Sequence, residues 1–213
     1  MPSPVEQALA LIDEAHAQDP NKTPTNEPYE LHYARRMTHY LDLHTPSAPP
    51  LLRLACRAQH FRRWEVPRDS YPRTKPGYFA WRTFLKKRQG EQVKAICLQC
   101  GFSEDDAARV GSLIAKEDLK KGEGKGDAEV QVLEDCACLV FLDDQFDEFE
   151  AEMKRGHVQA DGDDGDGESE GDKKIISILQ KTWVKMGKRG QELALEMDLS
   201  PRAKELVARA LSS

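Results

Sequence analysis

Apolar side chains recur at helical spacing along most of this chain, and no stretch reads as a convincing strand. Ser3-Pro4 predicts a helix start, with Val5, Leu9 and Ile12 on one face as far as about Ala17. Asp19-Pro20 ends it. A second helix is predicted over Tyr29 to His44, striped by Tyr33, Met37, Tyr40 and Leu41. After the prolines at 46 to 50, Leu51 to about Trp64 reads as a third helix. Residues 65 to 77 carry three prolines and a glycine and read as a loop. Tyr78 to Cys100 reads as a fourth helix, bent at Gly90 and closed by Gly101. Ser103 caps a fifth, with Glu104, Asp105 and Asp106 in its first turn, where negative charge suits the helix dipole. The longest predicted helix spans Asp127 to about Met153. Its centre, Cys136 to Leu142, is apolar on all sides and belongs in a core. Lys173 to Arg189 follows, with Ile175, Ile176, Leu179, Trp183 and Met186 at helical spacing, and Ser200-Pro201 opens a short last helix.

The pattern therefore predicts an all-α fold, a single domain over residues 1 to 213, with two breaks. Lys116 to Gly126 is a glycine- and lysine-rich link. Residues 156 to 172 are acidic and almost free of apolar side chains, so they read as a disordered linker that cannot bury enough surface to order itself. Read from Asp161 as a calcium loop, that segment puts Gly165 at the fifth position and Asp166 at the sixth, and the template fails. With no run of eighteen apolar residues, no membrane span is expected. The opening Met-Pro-Ser-Pro-Val-Glu does not resemble a secretory signal. Five cysteines, mostly in apolar helical contexts, fit free thiols in a reducing compartment, the cytosol first and the nucleus as an alternative.

Charge changes the picture. The chain is acidic, at formal net charge -6, yet residues 53 to 88 hold eleven Lys or Arg against two acids, with seven aromatics interleaved. Arginine's planar fork fits phosphate, and neighbouring aromatics stack or pack. The expected ligand is an anion carrying phosphate, a nucleotide or another small phosphate ester, with RNA as a further possibility. Candidate ligand-binding residues are Arg36, Arg62, Arg63, Arg68, Tyr71 and Arg82, with Lys181 and Lys185 offering either a second wall or a solvated face. His60, inside the basic stretch, is a candidate metal ligand or general acid/base. Glu134 and Asp135 open the buried run, where an acid needs an ion pair or a metal. Cys97/Cys100 and Cys136/Cys138 permit zinc by spacing, but read more simply as small hydrophobes. His32 and His39 read as a solvated polar face. His16 and Asp19 form either a helix-end contact or part of a site.

Several signatures carry a resemblance. They are Glu30-Leu-His-Tyr33-Ala-Arg-Arg36-Met37, Gln59-His60-Phe-Arg62-Arg63-Trp64-Glu65-Val-Pro67-Arg68, Tyr71-Pro72, Gly77-Tyr78 and Trp81-Arg82, then Leu133-Glu134-Asp135 and Lys181-Thr-Trp183-Val-Lys185-Met186. Together they resemble the domain of unknown function 4202 family of fungi and bacteria, which implies no activity. The order of motifs is distantly similar to the HD-domain phosphohydrolases, with Tyr33, Gln59-His60 and Asp135 at the metal-binding positions. That likeness implies an HD-like helical bundle and a divalent metal ion held by His60 and Asp135, with Gln59 and Tyr33 beside it. It further implies metal-assisted hydrolysis of a phosphate ester through a basic, Arg-rich cleft, with His60, Asp135 and Glu134 as the catalytic set. Tyr33 and Gln59-His60 depart from the family's His and His-Asp ligands. The alternative is a non-catalytic nucleotide- or RNA-binding module with a degenerate HD-like site.

Overall fold

The computed structural model describes residues 1–119, 126–158 and 170–212, and among them the architecture is all-α. The helices are α1 (Pro4–His16), α2 (Tyr29–His44), α3 (Pro50–Arg57), α4 (Lys75–Gln99), α5 (Glu104–Ala115), α6 (Ala128–Val140), α7 (Phe146–Val158), α8 (Glu170–Lys185), α9 (Lys188–Leu195) and α10 (Pro201–Ser212). Two isolated bridges, Lys22 with Pro28 and Leu119 with Gly126, are the only extended pairings among the described residues. No helix among them is long and apolar enough to cross a membrane. The helices group into two compact units, residues 1–119 with 126–133, and residues 134–158 with 170–212.

In the first unit, Ala8 and Ile12 of α1, Met37 and Leu41 of α2, Leu52 and Leu54 of α3, Val93 and Cys97 of α4, and Val110 and Leu113 of α5 are fully buried. Arg57 at the end of α3 reaches α1 through both oxygens of Asp13, at 2.7 and 2.8 Å. Helices α4 and α5 cross through glycines: a Cβ on Gly90 would lie 2.8 Å from the Gly111 carbonyl oxygen, and one on Gly111 would lie 3.2 Å from that of Gly90. Gly90 thus allows close approach inside a helix that runs unbroken from Lys75 to Gln99, where sequence predicted a bend. Gly90→Ala should cost about 1–3 kcal/mol through overpacking against backbone that cannot yield. A melting temperature equal to the parent's would refute that reading of the crossing. At the far end of α4, Gly101 takes φ +89° and lets the Phe102 N–H return to the Cys97 carbonyl, the predicted glycine stop.

In the second unit, Leu139, Phe146, Ile175 and Leu206 are fully buried, and Arg202 joins Asp172 and Glu150. Several boundaries differ from the sequence reading. The longest predicted helix passes through a π turn at Phe141–Gln145, so its register shifts and Phe146 becomes the deep core ring while Phe141 is half-buried. The predicted seventh helix is two: α8 ends at Lys185 and Gly187 opens α9, which carries Arg189. The acidic segment is trimmed at both ends, because α7 reaches Val158 and α8 starts at Glu170. Asp172 is buried there with Arg202 and Arg209; burial pushes its carboxyl up, but the two guanidinium groups outweigh that and hold it low. Residues 159–169 of the predicted linker, and 120–125 of the glycine- and lysine-rich link, lie outside the described residues.

Candidate functional site

A cleft lined by convergent polar groups lies in the first unit. It holds about 220 Å³ between α4, the end of α5 and the segment after α3. That segment is not the helical continuation predicted to Trp64. α3 stops at Arg57, and His60 and Arg62 take φ of 64° and 49°, the left-handed region that costs a side-chain-bearing residue about 1 kcal/mol or more. The rest of the fold holds it there. Glu30, 3 % exposed on α2, accepts the backbone N–H groups of Arg62 (2.9 Å) and Trp64 (3.2 Å). His16, fully buried, places Nδ1 3.2 Å from Glu30 and Nε2 3.0 Å from the Arg57 carbonyl. Asp19 accepts the Glu30 N–H at 3.0 Å. From α4, Trp81 Nε1 donates to the Val66 carbonyl at 2.9 Å, and Arg88 donates to the Arg62 carbonyl and pairs with Glu65. His16 and Asp19, for which sequence offered two roles, therefore belong to the scaffold behind the cleft. In the sequence Glu30 carries one signal, a carboxylate on the apolar side of a helix.

The clamp sets His60 and Arg63 into the cleft. The His60 ring stacks on buried Tyr33, with centroids 4.2 Å apart and planes 16° from parallel. Its Nε2 accepts from Arg63 Nη1 at 3.1 Å. Burial first, then the charges of Arg63 and Lys116, hold the imidazole well below its ordinary range, so it is neutral at neutral pH. Above about 6.5 the ring is neutral in both states and contributes nothing; as pH falls below that value the unfolded chain takes the proton first, and His60 subtracts stability.

Arg63 lies over the Trp81 ring, 4.8 Å from its centroid, in the range of a cation–π contact. Burial is the main cause of its depressed guanidinium affinity for the proton. Among the described residues no carboxylate pairs with it. Arg82, Lys86 and Lys116 complete the cationic wall, and Tyr78 closes one side. Two glutamines line the floor. Gln59 spends its amide on the Ala55 carbonyl at 3.4 Å, whereas Gln89, only 5 % exposed, has an amide nitrogen with no partner.

The other candidates of the first unit do not line this cleft. Arg62 pairs with Glu65 at 3.4 Å and borders a separate cleft with Phe61 and Gln92. Arg68 donates to the Tyr71 and Pro72 carbonyls and stiffens the approach to α4, and Tyr71 leans on Phe84. Arg36 covers Tyr40 on α2, and Tyr33 supports the His60 ring. In the second unit Lys181 is exposed, and Lys185 lies 3.8 Å from Glu134. Asp135 is 1 % exposed and accepts the Gly187 N–H at 2.8 Å. A Cβ on Gly190 would fall 2.7 Å from its carboxyl carbon, so this carboxylate sits against the first turn of α9, where helix amides favour negative charge. Asp135→Asn keeps an acceptor but removes the charge, and should cost about 1–2 kcal/mol. An unchanged melting temperature would sink that role. All five cysteines are buried free thiols, and burial pushes Cys97 up to about 11.

Among the described residues no group of three or more His, Cys, Asp or Glu side chains is arranged to hold a metal ion. The cleft itself offers one imidazole, already engaged, among four cationic side chains. Such a donor set does not fit a divalent cation, which seeks carboxylate and carbonyl oxygens or neutral imidazoles. It suits an anion.

Residues 6–207 match the family described as Domain of unknown function (DUF4202), and the chain belongs to that family. No curated protein and no solved structure matches it.

Proposed function

We propose that this protein binds a small phosphate-bearing ligand, a nucleotide or phosphate ester, in the cleft between α4 and the His60–Arg63 turn. One observation carries the reading: Arg63 is a half-buried, partly desolvated guanidinium facing a cleft without a carboxylate among the described residues. A buried charge normally comes with its counter-charge, and where the fold supplies none a bound anion does. The unpartnered Gln89 amide points the same way, since an N–H donor so deeply buried wants an acceptor. The volume sets the size. About 220 Å³ falls below the range that encloses a drug-sized molecule, so the cleft takes a phosphoryl group and part of what carries it. Titration calorimetry of the purified protein with inorganic phosphate, pyrophosphate and nucleoside mono- and diphosphates tests this. Saturable binding, weakening as salt rises, is expected. No heat from any of them at millimolar concentration would overturn it.

A hydrolytic reading draws on one further observation. His60 is neutral and stands beside the cations, so it can take a proton from an attacking water once Arg63 turns to the ligand. Phosphate release from the same compounds, with and without added divalent ions and in His60→Gln, separates turnover from binding.

A further inference from the structure

We infer that the exposed face of α4 beside the cleft is a docking strip for a single-stranded polynucleotide, with the cleft taking one of its phosphates. This rests in part on the phosphate reading of the cleft. Lys75, Phe79, Arg82 and Lys86 follow one another at i, i+4, i+7 and i+11 and so share one helix face, with Tyr78 at its margin. Phe79 is 53 % exposed and Tyr78 40 %, an unusual outlay of aromatic surface on a helix whose opposite side is packed. No acid occurs from Lys75 to Gly90. Lys75 and Arg82 have no carboxylate partner among the described residues.

Exposed aromatic rings alternating with cations match unpaired bases on a phosphate backbone: the cations track the phosphates and the rings stack on the bases. A duplex hides its base faces and leaves Phe79 nothing to stack on. An acidic protein surface would use the cations and not the rings. The chain's net charge of -6 does not oppose this at physiological salt, because charges beyond about 8 Å are screened and the strip acts locally. Arg82 and Lys86 line the cleft as well as the strip, so a strand lying on the strip delivers a phosphate to Arg63.

Fluorescence anisotropy with a short labelled oligothymidylate, and with the same strand annealed to its complement, tests the inference on the full chain. The single strand should bind tighter than thymidine monophosphate, and its affinity should fall steeply with salt. Phe79→Ala and Lys75→Ala, both surface changes outside the cleft, should each weaken the strand about tenfold while leaving the mononucleotide unaffected. A strand that binds no tighter than the mononucleotide, a duplex that binds equally well, or a Phe79→Ala protein with full strand affinity would overturn it. A strand that binds and depends on Phe79 while mononucleotides fail supports the strip and refutes the separate reading of the cleft.

Discussion

Glu30→Ala should lower stability by about 3–5 kcal/mol, the cost of breaking a buried charge network from one side. The carboxylate accepts the Arg62 and Trp64 amides and faces His16, so its removal strands two amide donors, each worth about 1–3 kcal/mol when left unsatisfied, and takes away the polar partner of the His16 ring. The amides belong to a turn that already holds two non-glycine residues at positive φ, which adds to what Glu30 has to hold in place. Thermal unfolding followed by circular dichroism should show a fall on the order of 10 °C. Glu30→Gln, which keeps the shape and one acceptor, should fall between the two. A Glu30→Ala protein that melts with the parent would mean that the turn is held by Arg88 and Trp81 from the α4 side and does not need Glu30.

Arg63→Ala should weaken phosphate-ligand binding about 100-fold, because a desolvated guanidinium contributes charge-assisted hydrogen bonds of about 1.5–3 kcal/mol. Its effect on the ligand-free protein should be small or favourable. The guanidinium is half-buried and has no counter-charge among the described residues, so its removal relieves part of a desolvation penalty and forfeits the Trp81 stacking and the bond to His60. Opposite effects on binding and on stability are what distinguish a ligand-binding residue from a structural one. Arg63→Lys keeps the charge and loses the planar fork, and should recover only part of the affinity. Calorimetry and a melting curve on the same three proteins read both quantities. A variant that loses stability and keeps affinity would place Arg63 in the scaffold instead.

Much of the helical layout was legible in the residue pattern because it rests on local chemistry. The Ser3 and Ser103 caps, the Gly101 stop and the stripe of Tyr33, Met37, Tyr40 and Leu41 each depend on neighbours within a turn or two. The boundaries that moved did so for long-range reasons. Nothing near His60 forbids a helix; the chain leaves it there because Glu30, thirty residues upstream, captures the Arg62 and Trp64 amides. The break at Gly187 likewise involves the distant Asp135 carboxylate, which accepts the Gly187 N–H and which local periodicity does not register.

The cleft was half legible. A dense run of arginine and aromatic residues set the expectation of an anion, and His60, Arg63 and Arg82 line one cleft. Composition could not separate Arg63 from Arg62, one residue away and paired with Glu65, or from Arg68, bound to backbone carbonyls. Gln89 and Lys116 carried no sequence signal, since a glutamine and a lysine acquire meaning only through what surrounds them. By itself the sequence determined the helices, their apolar faces and where positive charge is concentrated, because propensity, periodicity and formal charge are properties of residues and their near neighbours. The tertiary structure alone decided which cations lack a counter-charge and which amide lacks a partner, because desolvation and pairing exist only once distant segments pack.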